Sequence, residues 1–90
     1  MNSLEEIKSM LTVGETDKAI ALLDEYIKQH PDSDSAYFIR GNAYRKKESW
    51  KEALDNYSEA ISINPDSPAK SAYNATIEVL DFYNKDMFNQ

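Results

Sequence analysis

The chain is 90 residues long, carries a formal net charge of −6, and contains two glycines, three prolines and no cysteine. That length supports one domain with a single modest core, and the missing cysteine excludes disulfides and thiolate metal sites. The acidic balance argues against general nucleic-acid binding by phosphate neutralisation, and no apolar run reaches the roughly eighteen residues needed to span a membrane.

The start, Met1-Asn2-Ser3-Leu4-Glu5-Glu6, lacks the basic residues and apolar run of a signal peptide, which together with the absent cysteine fits a cytoplasmic protein. Leu4, Ile7, Met10 and Leu11 then form an apolar stripe at helical spacing. Ser3 followed three residues later by Glu6 is a capping-box signature for its start. Gly14 stands just past the stripe, where a left-handed C-cap residue is expected. Thr16 or Asp17 is expected to cap a second helix holding Ala19, Ile20, Leu23, Tyr26 and Ile27, which Pro31 stops. Lys28 and His30 fall in its last turn, where positive charge suits the helix dipole.

From Tyr37 to Pro65 the pattern reads as two further amphipathic helices folded back on each other. Tyr37, Gly41 and Tyr44 belong to the first; Trp50, Ala53, Leu54, Tyr57, Ala60 and Ile61 belong to the second, all at intervals of three or four. Ser49 with Glu52 offers another capping box. Beyond Pro65, Ser67-Pro68 reads as an N-cap followed by proline in the first helical position. Tyr73, Ile77, Leu80, Met87 and Phe88 fall near one face of a last helix, with Ala72, Val79 and Tyr83 on an adjoining strip. Five helices are expected, at about 3–13, 17–29, 34–46, 50–62 and 67–86.

The two helix pairs are copies of one plan. At an offset of 34 residues Ala19 falls on Ala53, Ile20 on Leu54, Leu23 on Tyr57, Ile27 on Ile61 and Pro31 on Pro65, and Pro31-Asp32-Ser33 recurs as Pro65-Asp66-Ser67. This period, the tyrosine–glycine–tyrosine set of Tyr37, Gly41 and Tyr44, Ala53, the aromatic Tyr57 four residues on and the closing Pro65 resemble the tetratricopeptide repeat. The resemblance implies an all-α fold of antiparallel helix pairs in a short right-handed solenoid. It divides the single domain, residues 1–90, into a repeat over about 1–33, a second over about 34–67 and a capping helix over about 68–88. The first repeat is degenerate, with Ile7 at the glycine slot and Met10 at the second tyrosine slot. The second departs from the family at Arg40, a slot usually filled by leucine, and at Glu48, where the turn normally has glycine as at Gly14. Left-handed dihedrals at Glu48 would cost roughly 1 kcal/mol.

In that family the first helix of each pair lines a concave face where extended peptides commonly bind. Carried over, those slots are Leu4, Lys8 and Leu11; Phe38, Asn42, Arg45 and Lys46; and, on the capping helix, Ala72, Tyr73, Thr76 and Val79. The implied function is a protein–protein interaction or adaptor module for a short peptide or protein segment. Arg45 and Lys46 beside Phe38 suit a carboxylate next to an apolar side chain; the plainer reading is a solvated helix end. The family's carboxylate-gripping set is incomplete: Gly41-Asn42 matches one element, Phe38 replaces its companion lysine, and Lys70 stands alone.

Residues 1–34 are net −5, 35–65 net +1 and 66–90 net −2, so the middle is where an acidic partner would be sought. Trp50, Tyr44 and Tyr57 occupy core slots. His30 has no catalytic neighbour, and Asp17, Asp24 and Asp55 lack any metal-loop spacing. No enzyme chemistry, cofactor or metal is expected. The alternative function is self-assembly, since two repeats fall below the three or so usually needed for stability. A homodimer would pair through the last helix, anchored by Phe82 or Phe88; a monomeric cap is preferred.

Overall fold

The computed structural model describes residues 3–88, with side-chain surroundings described as far as Phe82. It contains five helices: α1 Leu4–Thr12, α2 Thr16–Gln29, α3 Asp34–Lys46, α4 Trp50–Ile63 and α5 Ala69–Phe88. No strand occurs among the described residues. Consecutive helices pack on one another, and α3 lies between the α1–α2 hairpin and α4, as expected of a short all-α solenoid.

The ends of the helices follow from their caps. The Ser3 backbone N–H donates to Glu6 Oε1 at 2.9 Å and the Glu6 N–H donates to Ser3 Oγ at 3.2 Å, a complete capping box. The Ser3 backbone N–H first, and then the Ser3 hydroxyl beside it, hold the Glu6 carboxyl below its ordinary pKa. Ser33 Oγ accepts from the Ala36 N–H as the N-cap of α3, while Ser67 Oγ accepts from the Ala69 N–H two residues on, in the turn that leads into α5.

Both hairpin turns close as Schellman motifs. In the first, Gly14 at φ 87° donates to the Leu11 carbonyl and Glu15 to the Met10 carbonyl. In the second, Glu48 at φ 61° donates to Arg45 and Ser49 to Tyr44. Glu48 therefore occupies the left-handed position that Gly14 fills without a Cβ.

Two capping expectations fail beside these turns. Glu15, rather than Thr16 or Asp17, is the N-cap of α2, and Ser49 makes no side-chain cap bond. In each case the N-cap residue has already given its N–H to the Schellman bond. For Ser49, the reciprocal bond from Glu52 thus has no donor to accept. The start of α5 likewise shifts from 67 to Ala69, Pro68 lying in the preceding turn.

Packing is close because the contact positions are small. Ala19, Ala36, Ala43, Ala53, Ala60 and Ala69 have no exposed surface, which lets helix backbones approach. Ile7, Leu11, Ile20, Leu23, Ile27 and Ile39 fill the first cluster; Ala53, Tyr57, Ala60 and Ala69 form the second. Tyr37, Phe38 and Tyr44 pack against both, so α3 is the shared wall.

On α5, Ala69 and Thr76 are buried and Ala72, Tyr73, Val79 and Leu80 half-buried, whereas Ser71, Asn74, Ala75, Glu78 and Asp81 are exposed. This mostly polar outer face is what a terminal repeat requires. Phe82 is 77% exposed on it. The side chains of Tyr83, Met87 and Phe88, assigned above to the buried strip or to a dimer contact, lie outside the described residues. No described helix is long and apolar enough to cross a membrane.

Relieving the Glu48 turn should stabilise the chain. Glu48→Gly is expected to raise the unfolding free energy by about 0.5–1 kcal/mol and Gly14→Ala to lower it by about 1 kcal/mol, both read from urea titrations followed by circular dichroism.

Candidate functional site

The geometry of the candidate face begins with a missing side chain. A Cβ on Gly41 would lie 2.6 Å from both Tyr57 Cδ1 and Cε1, closer than such atoms can sit. Glycine therefore admits the Tyr57 ring directly against the α3 backbone, and the ring is fully buried there. Its hydroxyl donates to Asn42 Oδ1 on α3 at 2.5 Å. Phe38, one turn earlier on α3, tilts against the same ring at 6.1 Å between centroids. Burial pushes the Tyr57 phenol above its usual range, while the Arg45 guanidinium beside it pulls the other way. Phe38, Asn42, Arg45 and Tyr57 thus form one unit.

The other expected positions divide in two. Leu4 is half-buried on the first cluster and Lys8 is exposed, 3.6 Å from Glu5. Tyr73 and Ala72 are half-buried on the second cluster, and Val79 is half-buried further along α5. Leu11 is buried in the core, and Thr76 is fully buried with its hydroxyl donating to the Ala72 carbonyl at 2.8 Å; these two support the face from beneath. Lys46 is engaged within the chain, its Nζ donating to the Leu11 carbonyl oxygen at 2.6 Å.

Tyr57 and Arg40 are the residues the sequence reading left out of any polar role. Tyr57 was legible only as a hydroxyl-bearing residue at a slot where the first repeat has Leu23. Arg40 donates through Nε to Asn56 Oδ1 at 2.7 Å and through Nη1 to Asp24 Oδ1 at 2.8 Å, with its guanidinium 5.3 Å from the Tyr37 ring centre. The α3–α4 side that carries Arg40 also bears an open cavity of about 350 Å³, lined by Tyr37, Arg40, Asp55, Asn56 and Glu59. Among the described residues no group of three histidine, aspartate or glutamate side chains is placed to hold a metal ion.

Comparison with known proteins places these features in context. The family model described as tetratricopeptide repeat matches residues 4–68. A solved structure of similar fold is the solution NMR structure of the Bacteroides fragilis protein BF1650. It is 45% identical, with a TM-score of 0.88, and the match covers 100% of this chain and 92% of that one. No curated protein matches the sequence.

The Gly41–Tyr57 fit makes a specific forecast. Gly41→Ala is expected to cost at least about 2 kcal/mol in the parent, but less than about half of that once Tyr57→Leu has removed the ring. The urea-unfolding double-mutant cycle measures the difference. An equal cost in both backgrounds would mean that the added methyl meets something other than the ring.

Proposed function

Because the chain belongs to the tetratricopeptide repeat family, we propose that it is a non-catalytic interaction module. It holds an extended protein segment along the inner face of α3, with an acidic group of that segment on Arg45 and an apolar side chain on Phe38. Tetratricopeptide repeats generally mediate protein–protein interactions, and a face of aromatic and cationic groups suits such a segment.

The observation that carries the reading is Arg45. Of the four basic residues on and just after α3, Arg40 and Lys47 are ion-paired and Lys46 caps a carbonyl. Among the described residues, Arg45 has no carboxylate within ion-pair distance. It is exposed, and it stands beside Asn42 and the Tyr57 hydroxyl. A planar guanidinium left available next to an aromatic wall is suited to a two-point grip on a carboxylate. Tyr73 extends the wall on α5, and Leu4 and Lys8 continue it on α1.

The test is selection from a random peptide display library on the immobilised chain. Enriched peptides are expected to pair an acidic with an apolar residue and to perturb NMR signals of Phe38, Asn42 and Arg45. They should bind Arg45→Glu at least about tenfold more weakly. Peptides that bind Arg45→Glu as well as the parent, or that perturb only other residues, would refute the reading; so would failure to enrich any.

A further inference from the structure

We propose that the α1–α2 hairpin is seated on the rest of the chain by a directed seam of charge, and that Arg40 is the positioning residue that sets the angle between the two hairpins. Three cations on and just after α3 reach back to acceptors in the first hairpin. Arg40 meets Asp24 on α2 at 2.8 Å, Lys46 meets the Leu11 carbonyl on α1 at 2.6 Å, and Lys47 meets Asp17 on α2 at 2.5 Å. Every donor lies on one side of the joint and every acceptor on the other.

The three contacts differ in kind. Lys47–Asp17 is largely solvent-exposed and adds little by itself. Lys46 places a cation on the carbonyl end of α1, a helix whose own last turn has no basic residue. Arg40 is the most enclosed, its side chain 21% exposed. Its fork spans two helices at once, with Asn56 of α4 on Nε and Asp24 of α2 on Nη1, while Tyr37 supports its plane.

The remaining contact between α2 and α3 is apolar: Ala19, Ile20, Leu23 and Ile27 share one cluster with Ala36, Ile39 and Ala43, and Tyr26, Tyr37 and Tyr44 pack against it. Burial of that kind is non-directional and tolerates sliding or tilting of one helix on another. A planar guanidinium bound at two edges does not. The leucine that the family usually places at this slot would fill the space without fixing the angle. The angle in turn decides how Leu4 and Lys8 of α1 lie relative to Phe38 of α3. This holds whether or not that face binds a peptide, and its test needs no ligand.

Because the chain has no cysteine, Ser9→Cys on α1 and Ser58→Cys on α4, both exposed positions, provide the attachment sites for two spin labels. The doubly labelled parent is expected to give one narrow distance distribution. Arg40→Lys keeps the charge but not the fork, and Asp24→Asn keeps the fork but not the ion pair; each should broaden the distribution at least about twofold at unchanged helical circular dichroism. Arg40→Met should broaden it further if it folds. Distributions for Arg40→Lys and Asp24→Asn that superimpose on the parent's would overturn the proposal.

Discussion

How closely α3 and α4 approach decides most of what this molecule presents to its surroundings. The approach is set by Tyr57 lying on Gly41, where a single Cβ would come within 2.6 Å of the ring. Burying a tyrosine ring of this kind is worth about 2–3 kcal/mol. The same contact also ties the interior to the candidate face, since the hydroxyl of the buried ring ends on Asn42 of α3. Phe38 and Arg45 are arranged around that hydroxyl. Core packing and the candidate binding face are therefore one structure, and neither can be altered without the other.

Electrostatics adds a second level of organisation. The sequence is acidic in its first third and slightly basic in its middle, an asymmetry that suggests an external acidic partner. Most of it is used inside the chain. Asp17, Asp24 and the Leu11 carbonyl take up Lys47, Arg40 and Lys46, and Lys51 is paired with Asp55 one turn away. Once these pairs are subtracted, Arg45 is the described cation of residues 35–65 that has neither a carboxylate nor a carbonyl partner. Net charge along the sequence points to a segment, and the pairing within it leaves Arg45 as the residue on which the proposal rests.

What could be read from sequence was local or periodic. Helix limits were legible because Ser3, Gly14, Pro31 and Pro65 act within one turn of themselves, and the 34-residue offset tied Ala19 to Ala53, both now found fully buried. The strained turn at Glu48 was legible by comparison with Gly14, and its φ of 61° bears that out. The Ser49–Glu52 box was misread because its Glu52 bond and the Schellman turn compete for the Ser49 N–H, and short-range pattern does not say which wins. Arg40 looked like a defect because its acceptors, Asp24 and Asn56, lie sixteen residues away on either side. For the same reason Lys46, which reaches back 35 residues to Leu11, looked like part of a binding pair.

In a solenoid of this length each layer is covered only by its neighbours, so stability is expected to be graded along the chain rather than uniform. The helix whose side chains pack on the apolar clusters of both halves is α3. Native-state hydrogen exchange by NMR tests this most directly. The account predicts that amides of α3 and of α4 facing it exchange slowest, with α1 and the far part of α5 opening first and without them. If α3 exchanged as fast as α1, the view of α3 as the wall on which both halves rest would be contradicted.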